Sequence, residues 1–332
     1  MRKKIASTSL LLMLLFILFN LTYCKNSKNI HINSVVQTNE PHDNISSSEK
    51  IEFGRKLFFD KRLSIDNTIS CSSCHIPELA FSDGKVVSVG VEGRKTSRNA
   101  PTILNSKYLP TVLFDGFLPT LEMQVIVPIQ EHNEMDINML QLILKLREIP
   151  EYQKLAKKIF NRELDAWVIT RAISAYERSL ESLNARFDDF YTNGNKNALN
   201  KEELKGWELF SGRLNCVKCH PAPLFTNFKP LNNGAFDDYE LDAGRFRVTL
   251  DSSDIGKFKV PTLRNIELTG PYMHNGEYAT LNDVIKRYKV GGSNHSTKSD
   301  LIQPFKISQK EEQYLISFMK SLTDTTYMKE YR

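Results

Sequence analysis

Two Cys-x-x-Cys-His pentapeptides, Cys71-Ser-Ser-Cys74-His75 and Cys216-Val-Lys-Cys219-His220, hold four of the five cysteines of this 332-residue chain. That spacing is the attachment site of a c-type haem. Two thiols add to the porphyrin vinyl groups, and the adjacent imidazole becomes the proximal ligand of the iron. Cys71, Cys74, Cys216 and Cys219 are therefore expected to carry two covalent haem c groups, with His75 and His220 on the two irons. A zinc or dithiol reading of the CxxC pairs fits less well, because His follows each pair at once and the pairs lie far apart.

The N-terminus has the pattern of an export signal. Arg2, Lys3 and Lys4 precede an apolar run from Leu10 to Leu21, too short and too close to the terminus for a permanent spanning helix. Export to the periplasm agrees with the haem motifs. The fifth cysteine closes this segment in Leu21-Thr22-Tyr23-Cys24, which looks like a lipoprotein cleavage box with Cys24 as the lipidated residue. The alternative is an ordinary signal peptide with a leftover thiol. The expected division is an export signal over 1–24, a polar Asn- and Ser-rich tether over 25–48, and haem domains over 49–190 and 198–325. The formal charge is +5; without the three leader charges Arg2, Lys3 and Lys4 it is +2, which gives no argument for nucleic acid.

The two domains show as a weak internal repeat. Gly54-Arg-Lys-Leu-Phe58 stands before the first haem motif and Gly206-Trp-Glu-Leu-Phe210 before the second. Asn200 with Glu203 forms a capping-box pattern at the start of the second of these helices, and Ser308 with Glu311 opens a last helix through Leu322. Apolar spacing predicts further helices over 137–147 and 164–183. The Pro- and Gly-punctuated stretches 76–120 and 221–280 are expected to be long loops that wrap the haems. The fold class is thus mostly α, two cytochrome c-like domains with long loops.

Several stretches resemble the bacterial di-haem cytochrome c peroxidases and their MauG-type relatives. They are Leu57-Phe-Phe-Asp-Lys-Arg-Leu-Ser64, Arg98-Asn-Ala-Pro-Thr102, Phe114-Asp-Gly116, Glu134-Met135, Phe258-Lys-Val-Pro-Thr-Leu-Arg-Asn265 and Thr269-Gly-Pro-Tyr-Met-His274. The resemblance spans about 50–322. It implies haems facing a shared domain interface, with peroxide reacting at the N-terminal one and electrons accepted at the C-terminal one. It implies Glu134 as the acid–base group for O–O cleavage, with Gln124 lining the same pocket near Pro128. It also implies a calcium ion between the domains, held at Asn99, Thr269 and Pro271 by oxygen ligands that suit calcium. His132 is expected to be a loop histidine, and His274 and Arg264 to be propionate or structural partners.

The chain departs from the family pattern at three places. Many members carry a blocking His sixteen residues after the first haem-binding His, in a Ser-x-Gly-His stretch. Here Ser88-Val-Gly-Val91 has Val91 at that position, so the first iron is expected to be open in the oxidised protein. The second iron's distal Met is replaced by Tyr288, as in the MauG-type branch. A phenolate ligand favours higher oxidation states where Met sulfur raises the potential; the alternatives are a core tyrosine and ligation by Met273. The inter-haem Trp is replaced by Phe114, which is much harder to oxidise.

The leading expectation is a peroxidase reducing hydrogen peroxide to water with electrons from a small cytochrome c or cupredoxin. The alternatives are a MauG-type oxidase that modifies a partner protein, a plain di-haem electron carrier, and, remotely, a dithiol exchanger. The resemblance leaves room for a homodimer. Membrane contact is expected only through a lipid anchor at Cys24.

Overall fold

The computed structural model describes residue 38 and residues 40–331. The export signal, Cys24 and most of the tether lie outside the described residues. No helix among the described residues is long and apolar enough to cross a membrane.

The first half contains α1 (Ser48–Phe58), the short pair α2 (Leu121–Gln124) and α3 (Ile126–Gln130), α4 (Met139–Arg147), α5 (Pro150–Phe160) and α6 (Ala166–Ser179). The second half contains α7 (Arg186–Tyr191), α8 (Lys201–Ser211), α9 (Phe246–Thr249), α10 (Leu281–Lys289) and α11 (Gln309–Lys320). The one named sheet pairs Pro230–Leu231 with Phe258–Lys259. Several of the helices start where a side chain satisfies a free N–H group. Asn138 and Asp165 cap α4 and α6, so both begin two residues later than apolar spacing alone suggests. Full capping boxes at Asn200/Glu203 and Ser308/Glu311 open α8 and α11.

Each half is built on one crossing of two helices, and a glycine makes each crossing close. A Cβ on Gly54 would sit 1.9 Å from the Ala172 carbonyl oxygen of α6, and one on Gly206 would sit 1.9 Å from the Tyr314 carbonyl oxygen of α11. This is the physical content of the repeat: the two glycines let α1 meet α6 and α8 meet α11 at backbone distance. Two apolar cores result, one from Phe53 to Leu180 and one from Phe187 to Leu322. The second core starts earlier than the expected boundary at 190, because Phe187 packs edge-on against Trp207, Phe225 and Phe318.

The end of the tether is also more ordered than its composition suggests. Asn44 is fully buried and its amide donates to Glu122 Oε1 at 2.7 Å and to the Arg171 carbonyl at 3.0 Å. The chain is thus docked on the first domain before α1 begins.

Candidate active site

The two CxxCH turns have the same construction. Cys71–Ser73 and Cys216–Lys218 are single 3₁₀ turns, and the N–H of each following His donates back to the first Cys carbonyl at 2.9 Å. His75 Nδ1 lies 2.9 Å from the Phe81 carbonyl oxygen, and His220 Nδ1 lies 2.9 Å from that of Phe225. A carbonyl accepts only, so Nδ1 carries the proton and Nε2 keeps its lone pair for a metal. Burial holds both imidazoles below their ordinary pKa, in the neutral form a ligand needs. None of these four cysteines is tied up in a disulfide. This donor set fits haem c twice over.

The likeness between the halves continues past the motifs at constant spacing. Thr102 donates to the Ala80 carbonyl at 2.6 Å and Thr262 to that of Leu224 at 2.6 Å, each bracing the loop beyond its haem turn. Asn105 and Asn265 both take left-handed backbone, as do Gly116 and Gly276. Thr120 caps α2 and Thr280 caps α10. Carried one step further, this alignment pairs Tyr288 on α10 with Pro128 on α3. The second half presents a phenol where the first presents a side chain without a donor atom. The signal is present in the sequence, because the repeat extends through the loops beyond the motifs as well as through the helices before them.

Around the first motif, the loop carrying Glu134 is held on three sides. Glu134 N–H donates to the Glu131 carbonyl at 2.9 Å, Met135 N–H to Pro128 at 3.1 Å, and Val91 N–H to the Glu134 carbonyl at 2.9 Å. Val91 is fully buried. Gly90 permits this approach, since a Cβ there would come within 2.2 Å of the Asn133 carbonyl oxygen. Gln124 and Pro128 are four residues apart along α2 and α3, one helical turn, and so share a face. Burial, followed by repulsion from Glu131, pushes the Glu134 carboxyl up to about 7. Burial raises the thiols of Cys71 and Cys74; the charge of Glu177 adds to the first, and that of Glu134 adds to both. His132 points away from this site. Its side chain is 69% exposed and pairs with Asp136 at 3.2 Å.

Around the second motif, Asn233 Nδ2 donates to the Tyr288 hydroxyl at 3.1 Å and lies 3.5 Å from Met273 Sδ. The two rival distal donors therefore meet at one amide. Burial pushes the Tyr288 phenol up to about 12; the Asn233 bond opposes this and the thiols of Cys219 and Cys216 add to it.

The halves meet along an aromatic and ionic seam. Phe114 faces His274 with ring centroids 6.5 Å apart, and His274 stacks on Phe258 at 3.8 Å. Arg98 spans the seam, bonding Asp115 at 2.8 Å and Asp242 at 2.7 Å. Burial holds His274 near pKa 4 and therefore neutral. Arg264 is buried and locked in a two-pronged pair with Asp188 at 2.6 and 2.8 Å, a structural role in the second core. Asn99 N–H donates to the His274 carbonyl at 2.7 Å, bringing it to the loop of Thr269 and Pro271. Its amide nitrogen donates to the Lys85 carbonyl at 2.6 Å, leaving Oδ1 as the atom free to face a cation. Among the described residues no cluster of three or more His, Cys, Asp or Glu side chains suits a metal.

Comparison with known proteins places this geometry in context. Residues 48–197 match the family described as di-haem cytochrome c peroxidase. The chain is 35% identical to a cytochrome-c peroxidase, IdrP1, of Pseudomonas sp. (strain SCT), over 85% of this chain and 83% of that one. It is 32% identical to the methylamine utilization protein MauG of Methylorubrum extorquens, over 85% and 80%. Among solved structures, a MauG-like protein associated with microbial copper homeostasis superposes with a TM-score of 0.82 at 33% identity, covering 88% of this chain and 94% of that one.

Proposed function

This chain belongs to the di-haem cytochrome c peroxidase and MauG family, and from that premise we propose that it is an exported peroxidase. It reduces hydrogen peroxide to water with electrons from a small cytochrome c or cupredoxin. Haem c on His75 would supply an iron with an open face for peroxide, and haem c on His220 a second redox centre. The protein's part is proton management and exclusion. Glu134 would accept a proton from one peroxide oxygen and return it to the other, so that the O–O bond breaks with loss of water, the redox chemistry being what haem c held by His75 would supply. A carboxyl poised near 7 suits a group that must act as base and then as acid in one turnover. Gln124 orients peroxide by hydrogen bonding. Val91 and Pro128 leave that face without a competing ligand.

The observation that carries the reading is the packing of the Glu134 loop against buried Val91, through the 2.9 Å bond from Val91 N–H and the close approach at Gly90, with the Glu134 carboxyl raised by burial. The test is rapid mixing of the di-ferric protein with peroxide, then with reduced cytochrome c. Fast reaction with donor turnover supports the peroxidase, and Glu134→Gln should slow the peroxide step by roughly 10²–10⁴-fold. An unchanged rate in that variant would remove the assignment.

Tyr288 on α10 favours a second reading, a MauG-type oxidase acting on a partner protein. Phe114 at the seam weighs against it. A long-lived oxidised state that ignores reduced cytochrome c would decide for it. Calcium at Asn99, Thr269 and Pro271, periplasmic residence and lipidation of Cys24 belong to the same proposal. Removal of calcium should loosen the seam near Arg98 and slow electron transfer between the halves.

A further inference from the structure

The last residues of the chain leave the domain they follow. After α11 the chain turns back across the first domain, and Tyr327 and Tyr331 pack on its core. The Tyr327 hydroxyl donates to the Pro77 carbonyl at 3.1 Å, two residues beyond His75. Phe81 supplies the carbonyl that holds His75, and its ring lies 5.8 Å from both Tyr327 and Tyr331. Phe58 faces the His75 ring at 6.5 Å on one side and Tyr176 at 5.0 Å on the other. The hydroxyls of Tyr176 and Tyr331 are hydrogen-bonded to each other. Tyr176 is buried on α6, whereas Tyr331 is partly exposed.

These rings form an unbroken set from the proximal side of the first haem site to the surface. Phenylalanine does not lose an electron readily; a phenol does, provided its proton has somewhere to go. Three of the members are phenols: Tyr327 is bonded to a backbone carbonyl, whereas Tyr176 and Tyr331 are bonded to each other and the outer one, Tyr331, is partly exposed.

We propose that Tyr176 and Tyr331 form an electron entry to the His75 haem site that bypasses the second haem domain, used by small phenols or other one-electron reductants at Tyr331. The proposal rests on the peroxidase reading for its oxidant. Hydrogen peroxide takes two electrons and two protons to give two waters. The first electron comes from the Tyr331 phenol through Tyr176, while the Tyr331 proton passes to water, leaving a neutral phenoxyl radical. The external reductant then returns one electron and one proton to Tyr331. Once the phenol is restored, a second cycle of the same kind supplies the second electron, and the two protons are drawn from water. Such a route has particular value where Phe114 occupies the seam between the halves, because that side chain is itself too hard to oxidise to act as a stepping site.

The test uses the full-length, haem-loaded protein and its Tyr176→Phe, Tyr331→Phe and Tyr327→Phe variants. Each is mixed with one equivalent of hydrogen peroxide without donor, freeze-quenched and examined by electron paramagnetic resonance. A tyrosyl radical is expected in the wild type and in Tyr327→Phe, and at least fivefold less of it in the other two. Hydroquinone oxidation should fall several-fold in Tyr331→Phe, while turnover with reduced cytochrome c and the haem absorbance ratio stay the same. Peroxide consumption with no tyrosyl signal, or with the same signal and hydroquinone rate in Tyr331→Phe, overturns the route and leaves the peroxidase standing. No peroxide consumption by the wild type overturns both.

Discussion

The backbone N–H of Val91 donates to the carbonyl of Glu134 at 2.9 Å. The position where many relatives carry a blocking histidine is thus bonded directly to the backbone of the proposed acid–base residue. A histidine at 91 would start from the same loop, with Gly90 still giving the close approach. Val91→His is therefore expected to convert the first haem in the ferric protein to a six-coordinate, low-spin form. The same variant should lose its fast reaction with peroxide until the other haem is reduced. Electronic absorption and electron paramagnetic resonance of the as-isolated variant check this, and a persistent high-spin signal would count against it.

The pH dependence of the peroxide step should follow Glu134. Burial, then Glu131, raises this carboxyl to about 7 from an ordinary 4.5. The first act of cleavage needs the base form, so the rate should rise with pH and level off above about 7. Glu134→Gln should be slow and flat over the same interval. The sign for stability is the opposite. A carboxyl whose folded pKa is raised favours the folded state most below its unfolded pKa, and that contribution is lost as pH rises through the folded value. Thermal midpoints of wild type and Glu134→Gln should accordingly differ in slope between about pH 4.5 and 7, with the wild type losing more stability on the way up.

Gly54 and Gly206 give a prediction about the scaffold. A methyl group at either would overlap a backbone carbonyl of the crossing helix at 1.9 Å, and backbone cannot step aside as a side chain can. Gly54→Ala and Gly206→Ala should each lower stability by about 1–3 kcal/mol or more. Each should also impair haem attachment chiefly in its own half, because each crossing supports one CxxCH turn. Thermal melting and the haem-to-protein absorbance ratio measure the two effects.

These sites differ in how far the sequence disclosed them. The CxxCH turns, the capping boxes at Asn200 and Ser308 and the repeated glycines are local patterns, in which neighbouring residues determine the geometry. Glu134 and Gln124 required the family resemblance, because a loop carboxylate has no local signature. The pairing of Pro128 with Tyr288 was available from the repeat but only through an alignment of loops. What was not legible depends on contacts between residues far apart in the chain. Asn44 enters the first domain through bonds to Glu122 and Arg171, Arg98 meets Asp242 across the seam, and Tyr331 reaches back to Tyr176. A polar tether, a loop arginine and a terminal tyrosine look alike in composition whether or not they find such partners.

The seam yields the last prediction. Phe114 lies 6.5 Å from His274, its carbonyl accepts the Lys259 N–H at 2.7 Å, and His274 stacks on Phe258. The rings next to Phe114 at this crossing are His274, which is neutral, and beyond it Phe258 and Phe236, with the phenol of Tyr239 lying behind those two on the second half. Phe114 is itself too hard to oxidise to act as a stepping site, so electrons must cross by tunnelling past it and not by resting on it. An indole is far easier to oxidise and offers a stepping site without changing the backbone bond to Lys259. Phe114→Trp should speed electron transfer between the two haem sites after peroxide mixing and raise the share of oxidising equivalents held on the second. It should also reduce any radical on Tyr331, since the two routes compete for the same oxidant. Stopped-flow absorption at the two haems, followed with freeze-quenched resonance spectra, measures both. Equal inter-haem rates in Phe114→Trp and wild type would show that position 114 does not limit the transfer.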